Sequence, residues 1–392
     1  MRLTEREHPL TVLRRVDWWL VLVATSLALI GLIFIHSATR FDPRFAGQHM
    51  RQALFLAVSA GLGVVLILIP YPRIMRWAWV IYGASMTSLL LLPVFGVTIN
   101  GAQRWYHLPG FAIQPSEFAK LAVIVALAAW LRFKTSGRVF DNLLVPIVIT
   151  ALPAVLVQRQ PDLGSSLVFW PILLAMSYAS GASGRQIWTF AGCGLVIVLL
   201  AYFFLLPDYQ RERIDVWGAH FSWDEAAADP VEREEFRNLI RGPAFQPWQS
   251  MIAVGSGGLY GFGVGEGPQN RYDFLPYRNA DYVFSVVAEE VGFFGVAGLL
   301  LLQGLLVLLL LRTAMRSRER FGRLLVVGIA AFIGVQSLMH VAVCSWLVPA
   351  TGLPLPFVSY GGSSVMAVTL AFAAAVGVGV RRQHVVSSDA FS

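Results

Sequence analysis

Charged residues are scarce in this sequence, and their scarcity excludes a water-soluble domain. Asp, Glu, Lys and Arg make up 14% of the 392 residues, whereas hydrophobic residues make up 56%. The mean hydropathy is +0.64. A soluble domain carries about a quarter charged residues, so this chain lacks the polar side chains needed to cover a surface that faces water. The composition predicts an integral membrane protein.

Cysteine and the motifs of soluble enzymes are also nearly absent. Only Cys193 and Cys344 occur, both within apolar stretches, so neither a disulfide framework nor a thiolate metal site is expected. The chain has no G-x-x-x-x-G-K-[ST], H-E-x-x-H or G-x-S-x-G pattern. Seven glycines between positions 255 and 267 do not fit the dinucleotide-binding pattern. These absences exclude an ATP-driven transporter and a Rossmann enzyme.

The sequence does contain ten long apolar stretches. About 20 apolar residues are needed to cross ~30 Å of hydrocarbon as a helix. The predicted fold class is therefore an all-α polytopic membrane protein with ten transmembrane helices, in a single membrane domain over residues 1–392. The predicted spans are Trp18–Ile35, Ala53–Ile69, Trp77–Val94, Phe118–Leu131, Leu143–Val157, Ser166–Tyr178, Ile187–Leu206, Tyr282–Leu311, Leu324–Val348 and Val365–Val380.

The basic residues predict the orientation of these spans, because short cytoplasmic connectors carry the excess of Lys and Arg. With the N-terminus inside, the cytoplasmic segments hold 17 basic residues and the short outer loops hold 5. Both termini are therefore predicted to be cytoplasmic. The same distribution explains the net charge of +7 as a topology signal, so no nucleic-acid partner is expected.

One connector is much longer than the others. Residues 207–281 form a predicted large extracytoplasmic loop between spans seven and eight. From Asp208 to Arg241 the loop carries nine acidic residues and five arginines. This composition is typical of a solvated, partly helical segment, and a docking surface for a partner is the alternative.

The second half of this loop changes character. Residues 245–254 predict a short amphipathic helix with Pro247 near its start. The glycine run that follows is either a flexible linker or a loop that packs at the membrane face, since glycine permits positive φ and close backbone approach. Apolar residues are interleaved with these glycines, which favours packing. They are Leu259, Tyr260, Phe262 and Val264.

Ionisable residues inside an apolar span tend to mark function or buried pairs. Glu117 and Lys120 are three residues apart at the start of the fourth span, so they share a helix face and can pair. Asp162 follows the fifth span, and His340 in the ninth is expected to be a buried structural residue. Further candidates are Asp281, Glu289 and Glu290, at the start of the eighth span.

The eighth span carries the most informative acids. At the water boundary, Asp281 can exchange protons and face an apolar groove, which suits a general base; alternatively, it is the N-cap of the helix. On an ideal helix Glu289 lies about 80° from Asp281 and roughly 12 Å deeper, so both can line one cavity. Glu290 points the opposite way and needs a different partner, such as an arginine or backbone amides elsewhere in the bundle. For both glutamates, a structural role and a direct role remain open.

Several motifs of this chain resemble those of the shape, elongation, division and sporulation (SEDS) family, which comprises RodA, FtsW and SpoVE. They occur in the family's order, together with a ten-span pattern and a large loop between spans seven and eight. The motifs are Gly101-Ala-Gln-Arg-Trp105, Gln114-Pro-Ser-Glu-Phe-Ala-Lys120, Gln160-Pro-Asp-Leu-Gly-Ser165, Ala253-Val-Gly-Ser-Gly-Gly258, Phe274-Leu-Pro276, Asp281-Tyr-Val-Phe284, Glu289-Glu290 and Pro354-Leu-Pro-Phe-Val-Ser-Tyr-Gly-Gly-Ser-Ser364.

The resemblance implies a peptidoglycan glycosyltransferase that polymerises lipid II at the outer face of the bacterial cytoplasmic membrane. It implies a class B penicillin-binding protein, a transpeptidase with one membrane span, as the partner. The family's essential acid falls on Asp281. Other family sites fall on Arg104, Trp105, Glu117, Lys120, Asp162 and Ser363.

The chain departs from the family pattern at two places. Where the family usually has Glu-x-His-Thr before the aspartate, this chain has Tyr277-Arg278-Asn279-Ala280, and His340 replaces the usual Asn. These differences leave the aspartate intact but change its neighbours. The spacing around Gly267-Pro-Gln269 and the short termini look more like RodA than FtsW, so a role in elongation and cell shape is favoured.

The implied reaction forms a β-1,4 bond with inversion at the sugar C1, which needs a base and cationic help for the pyrophosphate. Asp281 is the candidate base, and Arg104 and Lys120 are the candidates for the pyrophosphate. A divalent cation, Mg²⁺ or Mn²⁺, could share this work, but the sequence shows no metal-ligand set. The polyprenyl tails would lie in grooves open to membrane lipids.

Two alternatives belong to other functional classes. A flippase or transporter for lipid-linked precursors could use the intramembrane charges as a polar track. Against it, the chain shows no inverted repeat of interrupted helices. The other alternative is an inactive scaffold that only recruits a transpeptidase.

Overall fold

The computed structural model describes residues 14–99, 102–108, 110–133, 144–204, 206–222 and 229–381. The start of the predicted fifth span at Leu143, the start of the first motif at Gly101 and both termini lie outside these ranges. The described chain is mainly helical. Its helices are α1 Trp18–Thr39, α2 Gln48–Leu68, α3 Tyr71–Arg76, α4 Ala78–Phe95, α5 Pro115–Leu131, α6 Val145–Gln158, α7 Leu163–Ser180, α8 Gly184–Phe204, α9 Asp208–Ser222, α10 Pro230–Arg241, α11 Phe245–Ser256, α12 Pro268–Arg271, α13 Val283–Arg316, α14 Arg320–Cys344 and α15 Gly362–Val380.

Seven helical segments are long and apolar enough to cross a membrane, so the protein is a multi-pass membrane protein. They are α1, the segment Pro43–Leu68 that contains α2, and α4, α7, α13, α14 and α15. α6 is a shorter apolar helix, and α5 and α8 cover the two remaining predicted stretches. Each of the ten stretches thus carries a helix. Many outward apolar side chains, such as Leu29, Val58 and Leu301, are exposed, which suits contact with lipid.

The expectation of an all-α fold is wrong in one place. Three antiparallel strands connect α4 to α5: β1 Val97–Ile99, β2 Ala102–Leu108 and β3 Phe111–Ile113, in the order β1-β2-β3. Trp105 pairs with Val97, and Tyr106 pairs with Ile113. Aromatic residues favour a pleated, half-buried surface, and the segment is too short to cross a bilayer. The backbone N–H and C=O groups of this loop are therefore satisfied by pairing in a small sheet.

The core of the bundle is formed by α5, α14 and α15. α14 packs against α13 on one side and against α7 on another, and α15 packs against α2. Val123, Leu127 and Phe332 are fully buried between these helices. At Gly328 a Cβ atom would lie 2.6 Å from side-chain atoms of Ile124 and Met176. Only glycine therefore permits α14 to approach α5 and α7 so closely.

α13 has a kink that organises the long connector of residues 207–281, which we call the outer loop after its predicted side. Gly292 adopts φ 62° and ψ −165°, which interrupts the helix and frees backbone groups on both sides. The glycine run of the outer loop takes up these groups, so it is a packed loop and not a flexible linker. The hydrogen bonds are Phe262 N to Glu289 O (3.1 Å), Gly263 N to Glu290 O (2.9 Å), Phe293 N to Gly258 O (2.9 Å) and Phe294 N to Leu259 O (3.2 Å).

Close backbone approach explains the glycines at this contact. A Cβ atom at Gly257 would lie 2.0 Å from the carbonyl oxygen of Ala288, and one at Gly261 would lie 2.3 Å from that of Glu290. The predicted amphipathic helix immediately before the run is confirmed as α11. Tyr260 and Phe262 point outward and are exposed. The run thus covers α13 and presents aromatic side chains on its outer face.

The acidic half of the outer loop forms α9 and α10. α10 begins with a capping box in which Asp229 and Glu232 accept each other's backbone N–H groups. The loop is attached to the bundle through Trp346, which is buried and lies after α14. His220 stacks on Trp346 with a ring separation of 4.2 Å, and Trp248 meets it edge-on at 6.1 Å. These contacts dock α9 and α11 over one end of the bundle.

Candidate functional site

Asp281 lies in the last residues of the outer loop, immediately before α13. The helix is capped by Tyr282 without a side-chain hydrogen bond, so the alternative that Asp281 is the N-cap is wrong. Its carboxylate packs against Gly352, where a Cβ atom would lie 3.4 Å from Oδ2. Gly352 adopts φ 67°, a conformation that glycine tolerates. A Cβ atom there would only touch the carboxylate, so the positive φ is what favours glycine at this position.

The surroundings of Asp281 raise its pKa to about 6, from an ordinary value of 3.8. Burial is the main cause, because it disfavours the charged form. The negative charge of Asp162 acts in the same direction, whereas Arg213 and Arg104 oppose it. Among the described residues, no group donates a hydrogen bond to the carboxylate. Asp281 is therefore an unengaged carboxylate whose pKa is tuned toward neutrality, as a general base requires.

Asp162 is the second carboxylate at this position, but it is already engaged. It caps α7 by accepting a hydrogen bond from Ser165 N (3.0 Å). Gln114 donates to its other oxygen from 3.1 Å, and Ser116 from 3.5 Å. The Asp162 side chain is buried. Its geometry fits a fixed charge that orients neighbours, and it does not fit a proton acceptor.

Ser363 belongs to the same network through the start of α5. The backbone N–H of Gln114 donates to Ser363 Oγ (2.9 Å), and that hydroxyl donates to the carbonyl of Ala112 (3.0 Å). Ser363 lies in the first turn of α15, and Ala112 lies in β3. The serine therefore ties α15 to the strand–helix junction. Its role in the structure is to hold Gln114, which in turn holds Asp162.

Arg104 and Trp105 lie on β2, outside the helices that the sequence predicted. The Arg104 guanidinium donates to the carbonyl of Pro161, the residue before Asp162. Trp105 is partly buried and pairs with Val97 across the sheet. The structure thus brings Arg104, Asp162 and Asp281 together from three different loops. Trp105 lies on the same strand and faces away from Arg104, because neighbouring strand residues alternate.

Glu117 and Lys120 form the predicted pair, deep within the bundle. Lys120 Nζ lies 2.6 Å from Glu117 Oε1 and 2.8 Å from Gln336 Oε1. It also lies 5.0 Å from the centre of the Phe332 ring, a cation–π distance. The Lys120 side chain has no exposed surface and Glu117 only 2%. The pair connects α5 with α14, and its ammonium is enclosed by protein.

Glu289 and Glu290 are bound to the outer loop and α1. Glu289 Oε1 accepts from Gln269 N (2.8 Å). Glu290 Oε1 accepts from Ser37 Oγ (2.6 Å) and from Asn270 Nδ2 (2.8 Å). The expectation that Glu290 needs a separate partner is confirmed, and this partner is a serine and an asparagine. Because α13 begins only at Val283, the ideal-helix relation between Asp281 and Glu289 does not hold.

The residues that depart from the family pattern form a scaffold beneath Asp281. Arg278 Nε donates to the carbonyl of Ala38 (2.8 Å), and Asn279 bonds to Gln48 of α2. Tyr360 N donates to the Asn279 carbonyl (2.9 Å), and Ser359 Oγ donates to the Ala280 carbonyl (2.6 Å). This segment therefore fixes the backbone that carries the aspartate.

His340 is buried and bridges three segments. One ring nitrogen, Nδ1, lies 2.6 Å from the Leu353 carbonyl, and Nε2 lies 3.4 Å from the N–H of Phe284. Since the carbonyl can only accept and the N–H can only donate, the imidazole is neutral and carries its proton on Nδ1. His340 thus joins the first turn of α13 to the loop beside Gly352. The expectation of a buried structural histidine is confirmed.

Arg213 on α9 was missed by the sequence analysis. Its Nη1 donates to the carbonyl of Ala350 (3.0 Å), two residues before Gly352. The sequence assigned Arg213 to a solvated acidic stretch, where single arginines carry no recognisable signal. The one clue to its position was the apolar residue Val216, which lies one turn further along α9 and is buried. That burial shows that this helix face points toward the bundle.

The described residues contain no group of three or more His, Cys, Asp or Glu placed to hold a metal ion. Asp162 and Asp281 are two carboxylates, and Asp162 already accepts three hydrogen bonds. Mg²⁺ and similar cations need several oxygen ligands. This donor set alone does not make a dedicated cation site.

These features define a multi-pass helical membrane protein whose loops bring carboxylates and arginines together at one end of the bundle. The profile of the FtsW, RodA and SpoVE family, described as "Cell cycle protein", matches residues 17–384. The chain belongs to this family, as its motifs predicted.

Characterised relatives and solved structures agree with this membership. The chain is 32% identical over 374 residues to peptidoglycan glycosyltransferase MrdB of Escherichia coli K12, covering 94% of each chain. It is 32% identical over 382 residues to the probable peptidoglycan glycosyltransferase FtsW of Geobacter metallireducens, covering 94% of this chain and 96% of that protein.

Two solved structures have the same fold over nearly the whole chain. One comes from a study of the structural coordination of polymerization and crosslinking by a peptidoglycan synthase complex, with a TM-score of 0.76, 30% identity and coverage of 94% and 99%. The other is the crystal structure of the rod shape determining protein RodA of Thermus thermophilus, with a TM-score of 0.68, 29% identity and coverage of 94% and 98%.

Proposed function

We propose that this protein is a peptidoglycan glycosyltransferase that polymerises lipid II into glycan strands, with Asp281 as the general base. Relatives of both branches of the family, MrdB and FtsW, are named as peptidoglycan glycosyltransferases. The observation that carries the proposal is the Asp281 carboxylate: it is raised in pKa, held against Gly352, and unengaged by the described residues.

The site residues divide the chemistry as follows. The 4-hydroxyl of the acceptor sugar attacks C1 of the donor sugar, and Asp281 takes the hydroxyl proton. Arg104 supplies positive charge where the pyrophosphate leaves. The Pro161 carbonyl, which accepts the hydrogen bond from Arg104, lies in a loop held by Asp162, Gln114 and Ser363. We assign these steps to side chains, and a divalent cation would require ligands beyond the two carboxylates.

The other site residues have supporting roles in this proposal. Trp105 lies partly exposed on the face of β2 opposite Arg104, and we assign it a contact with a part of the substrate away from the diphosphate. Glu117 and Lys120 are an internal pair that stabilises α5 and α14, and Glu289 and Glu290 stabilise the outer loop. These paired residues do not form the open polar track that a flippase would use.

We further propose a topology of ten spans with both termini in the cytoplasm, in the bacterial cytoplasmic membrane. The chain forms one membrane domain over residues 1–392, with residues 207–281 as its large extracytoplasmic loop. Hydrogen bonds between predicted outer loops support this arrangement: Arg104 with Pro161, Gln114 with Ser363, and Arg213 with Ala350. The reaction then takes place at the outer face, where lipid II is exposed.

The proposed role is that of RodA, in elongation and cell shape. The spacing around Gly267-Pro-Gln269 supports RodA over FtsW. The proposed partner is a class B penicillin-binding protein, whose single span would pack against the lipid-facing bundle. The neighbour from a peptidoglycan synthase complex supports a partner of this kind.

The test is polymerisation of labelled lipid II by purified protein in detergent, with and without the partner. We expect glycan chains from the wild type and none from Asp281→Asn, with both proteins equally folded. Translocation of lipid II in liposomes without chains would instead identify a flippase. Neither activity, with the partner still bound, would identify a scaffold. The exposed-carboxylate variant Glu235→Gln on α10 serves as the matched control and should retain full activity.

A further inference from the structure

Arg213 is anchored on the loop that passes the candidate base. Its guanidinium donates to the Ala350 carbonyl (3.0 Å). Two residues further along the same loop lies Gly352, where an added Cβ atom would lie 3.4 Å from Oδ2 of Asp281. The positive charge of Arg213 acts on Asp281 more strongly than that of Arg104. α9 thus holds a cation on the loop that also carries Gly352, near the site.

Arg104 lies on another loop, and its positive charge also acts on this carboxylate. It lies on β2 and donates to the carbonyl of Pro161, next to Asp162. The two arginines therefore come from elements that are more than 100 residues apart in the sequence. Each is anchored on a backbone carbonyl, and Asp281 lies within reach of both charges.

Both guanidinium groups keep donors for a ligand. An arginine has five N–H donors in a planar fork, and each of these two makes one hydrogen bond to the described residues, in both cases to a carbonyl. Neither forms an ion pair with a carboxylate of the described chain. No carboxylate contact therefore neutralises their charge, and their remaining N–H groups can donate to an anion.

Lys120 cannot fill this role in the present arrangement. Its side chain has no exposed surface, and its ammonium is bound to Glu117 and Gln336. An anion could reach it only after the pair had broken, which would leave Glu117 as an uncompensated buried charge.

We propose that Arg104 and Arg213 form a two-arginine clamp for the diphosphate of the lipid-linked donor sugar, with Arg213 taking the place that the sequence gave to Lys120. This inference rests on the proposed function. In the reaction, the acceptor oxygen forms a bond to C1, and the bond from C1 to the diphosphate oxygen breaks. The electron pair of that bond stays on the diphosphate, and the acceptor proton goes to Asp281. The clamp stabilises the charge that develops on the leaving diphosphate.

Arginine suits this ligand because its fork binds two phosphate oxygens at once, whereas lysine is a point charge. A clamp built from two loops also gives the outer loop a function: α9 closes one side of the diphosphate site. We expect the clamp to prefer a diphosphate over a monophosphate, because a diphosphate offers one phosphate group to each guanidinium.

The first test is kinetic. Arg213→Gln removes the charge but keeps a donor for the Ala350 carbonyl, so folding should be preserved. We expect kcat/KM for lipid II to fall about 100-fold, the effect typical of losing one charge-stabilising donor. Arg213→Lys should recover only part of this loss. The control is Arg237→Gln on α10, an exposed arginine paired with Glu234, which should leave kcat/KM unchanged.

The second test needs no turnover and separates the two proposals. Undecaprenyl diphosphate and undecaprenyl monophosphate are titrated against each variant in detergent, and affinity is measured directly. The wild type should prefer the diphosphate at least tenfold, and Arg213→Gln and Arg104→Gln should each lose this preference. Thermal unfolding of each variant shows whether it is folded, and a misfolded Arg213→Gln is replaced by Arg213→Lys, which should retain reduced preference.

The outcomes distinguish which idea fails. If wild type makes no glycan chains but prefers the diphosphate through Arg213, the clamp stands and the polymerase assignment fails. If wild type polymerises lipid II while folded Arg213→Gln keeps both its kcat/KM and its preference for the diphosphate, the clamp is wrong and the polymerase assignment stands.

Discussion

At the scale of single residues, Asp281 shows how a carboxylate can be half-buried and yet remain unengaged. Its nearest backbone neighbours are all occupied: the Asn279 and Ala280 carbonyls are held by the loop after Pro354, and its own N–H donates to Tyr277. The side chain alone is left without a described donor. Rigid surroundings with a free carboxylate are what a general base needs, because the proton must come from the substrate.

The raised pKa of Asp281 predicts a pH profile. A general base works in its ionised form. The site raises the pKa of the Asp281 carboxyl from 3.8 to about 6. The polymerisation rate should therefore rise with pH and level off above about 7. At pH 5, one unit below that pKa, roughly a tenth of the enzyme is ionised, so the rate should be about tenfold below the plateau.

Initial rates with labelled lipid II between pH 4.5 and 8 measure this profile. Glu235→Gln should give the same curve as the wild type. A rate that stays on its plateau down to pH 4.5 would show that Asp281 does not titrate as the base.

The buried pair of Glu117 and Lys120 predicts an effect on stability. Lys120→Ala leaves Glu117 without its cation in an apolar interior, and loss of one partner of a buried pair typically costs about 3–5 kcal/mol. The double variant Glu117→Gln with Lys120→Met removes both charges and should be more stable than Lys120→Ala alone. Thermal unfolding in detergent gives the comparison.

An exposed pair provides the control for that experiment. Glu234 and Arg237 have the same spacing on a helix, but both are more than half exposed. Exposed pairs contribute little, so Arg237→Ala should leave the unfolding temperature unchanged. Equal stability of Lys120→Ala and the wild type would mean that the internal pair does not hold α5 against α14.

At the scale of elements, helices were predictable and their irregularities were not. Long apolar runs identify helices because the bilayer core holds no water to bind backbone groups, and a helix pairs all of them within the segment. The strands β1 to β3 escaped notice because the sequence between α4 and α5 is short and its alternation covers few residues. The kink at Gly292 was also missed, since a single glycine in an apolar run is common in membrane helices.

The glycine run shows what sequence alone could and could not establish. Interleaved apolar residues indicated packing, and the structure confirms it. The contact partner could not be predicted, because it depends on backbone groups that become free only at the kink in α13. Glu289 and Glu290 illustrate the same limit: their partners Gln269, Asn270 and Ser37 lie in other segments, and spacing along one helix does not reveal them.

Gly257 provides a test of the docking between the glycine run and α13. In Gly257→Ala the new Cβ would lie 2.0 Å from the backbone oxygen of Ala288, so either the loop or the helix must move. We expect a loss of about 1–3 kcal/mol in stability, together with faster proteolytic cleavage within residues 257–267.

The matched control is Gly255→Ala, two residues earlier in α11. Nothing lies within 4 Å of a Cβ atom at Gly255, and alanine favours a helix by about 1 kcal/mol over glycine. This variant should be as stable as the wild type or slightly more so. Equal proteolysis of the two variants would contradict tight docking of the run on α13.

At the scale of the whole molecule, the two ends of the bundle can be told apart by their contacts. At one end, Arg44 pairs with Asp273 (2.9 Å), and Arg40 donates to Gly265 O (2.7 Å). At the other end, Arg381 donates to the carbonyl of Leu68 (3.0 Å). Connectors that the charge pattern assigned to the same side thus contact one another. The sequence could assign sides but not contacts, and the site arises from contacts among loops that were predicted to share one side.

The proposed topology predicts which positions a membrane-impermeant thiol reagent can reach in intact spheroplasts. Cys193 is exposed and is first replaced by Ala, while Cys344 is buried and can remain. Single cysteines are then introduced at exposed polar positions. His107→Cys and Asn238→Cys lie in predicted outer loops, and Ser183→Cys and Arg318→Cys lie in predicted cytoplasmic connectors.

We expect a maleimide that cannot cross the membrane to label His107→Cys and Asn238→Cys at once, and Ser183→Cys and Arg318→Cys only after permeabilisation. In the ten-span topology, four spans separate His107 from Asn238 and two separate Ser183 from Arg318, so the members of each pair share a side. Labelling of Ser183→Cys in intact spheroplasts as fast as Asn238→Cys would mean that α8 does not cross the membrane. The outer loop and the connector before α8 would then share one side, and the bundle would have fewer than ten spans.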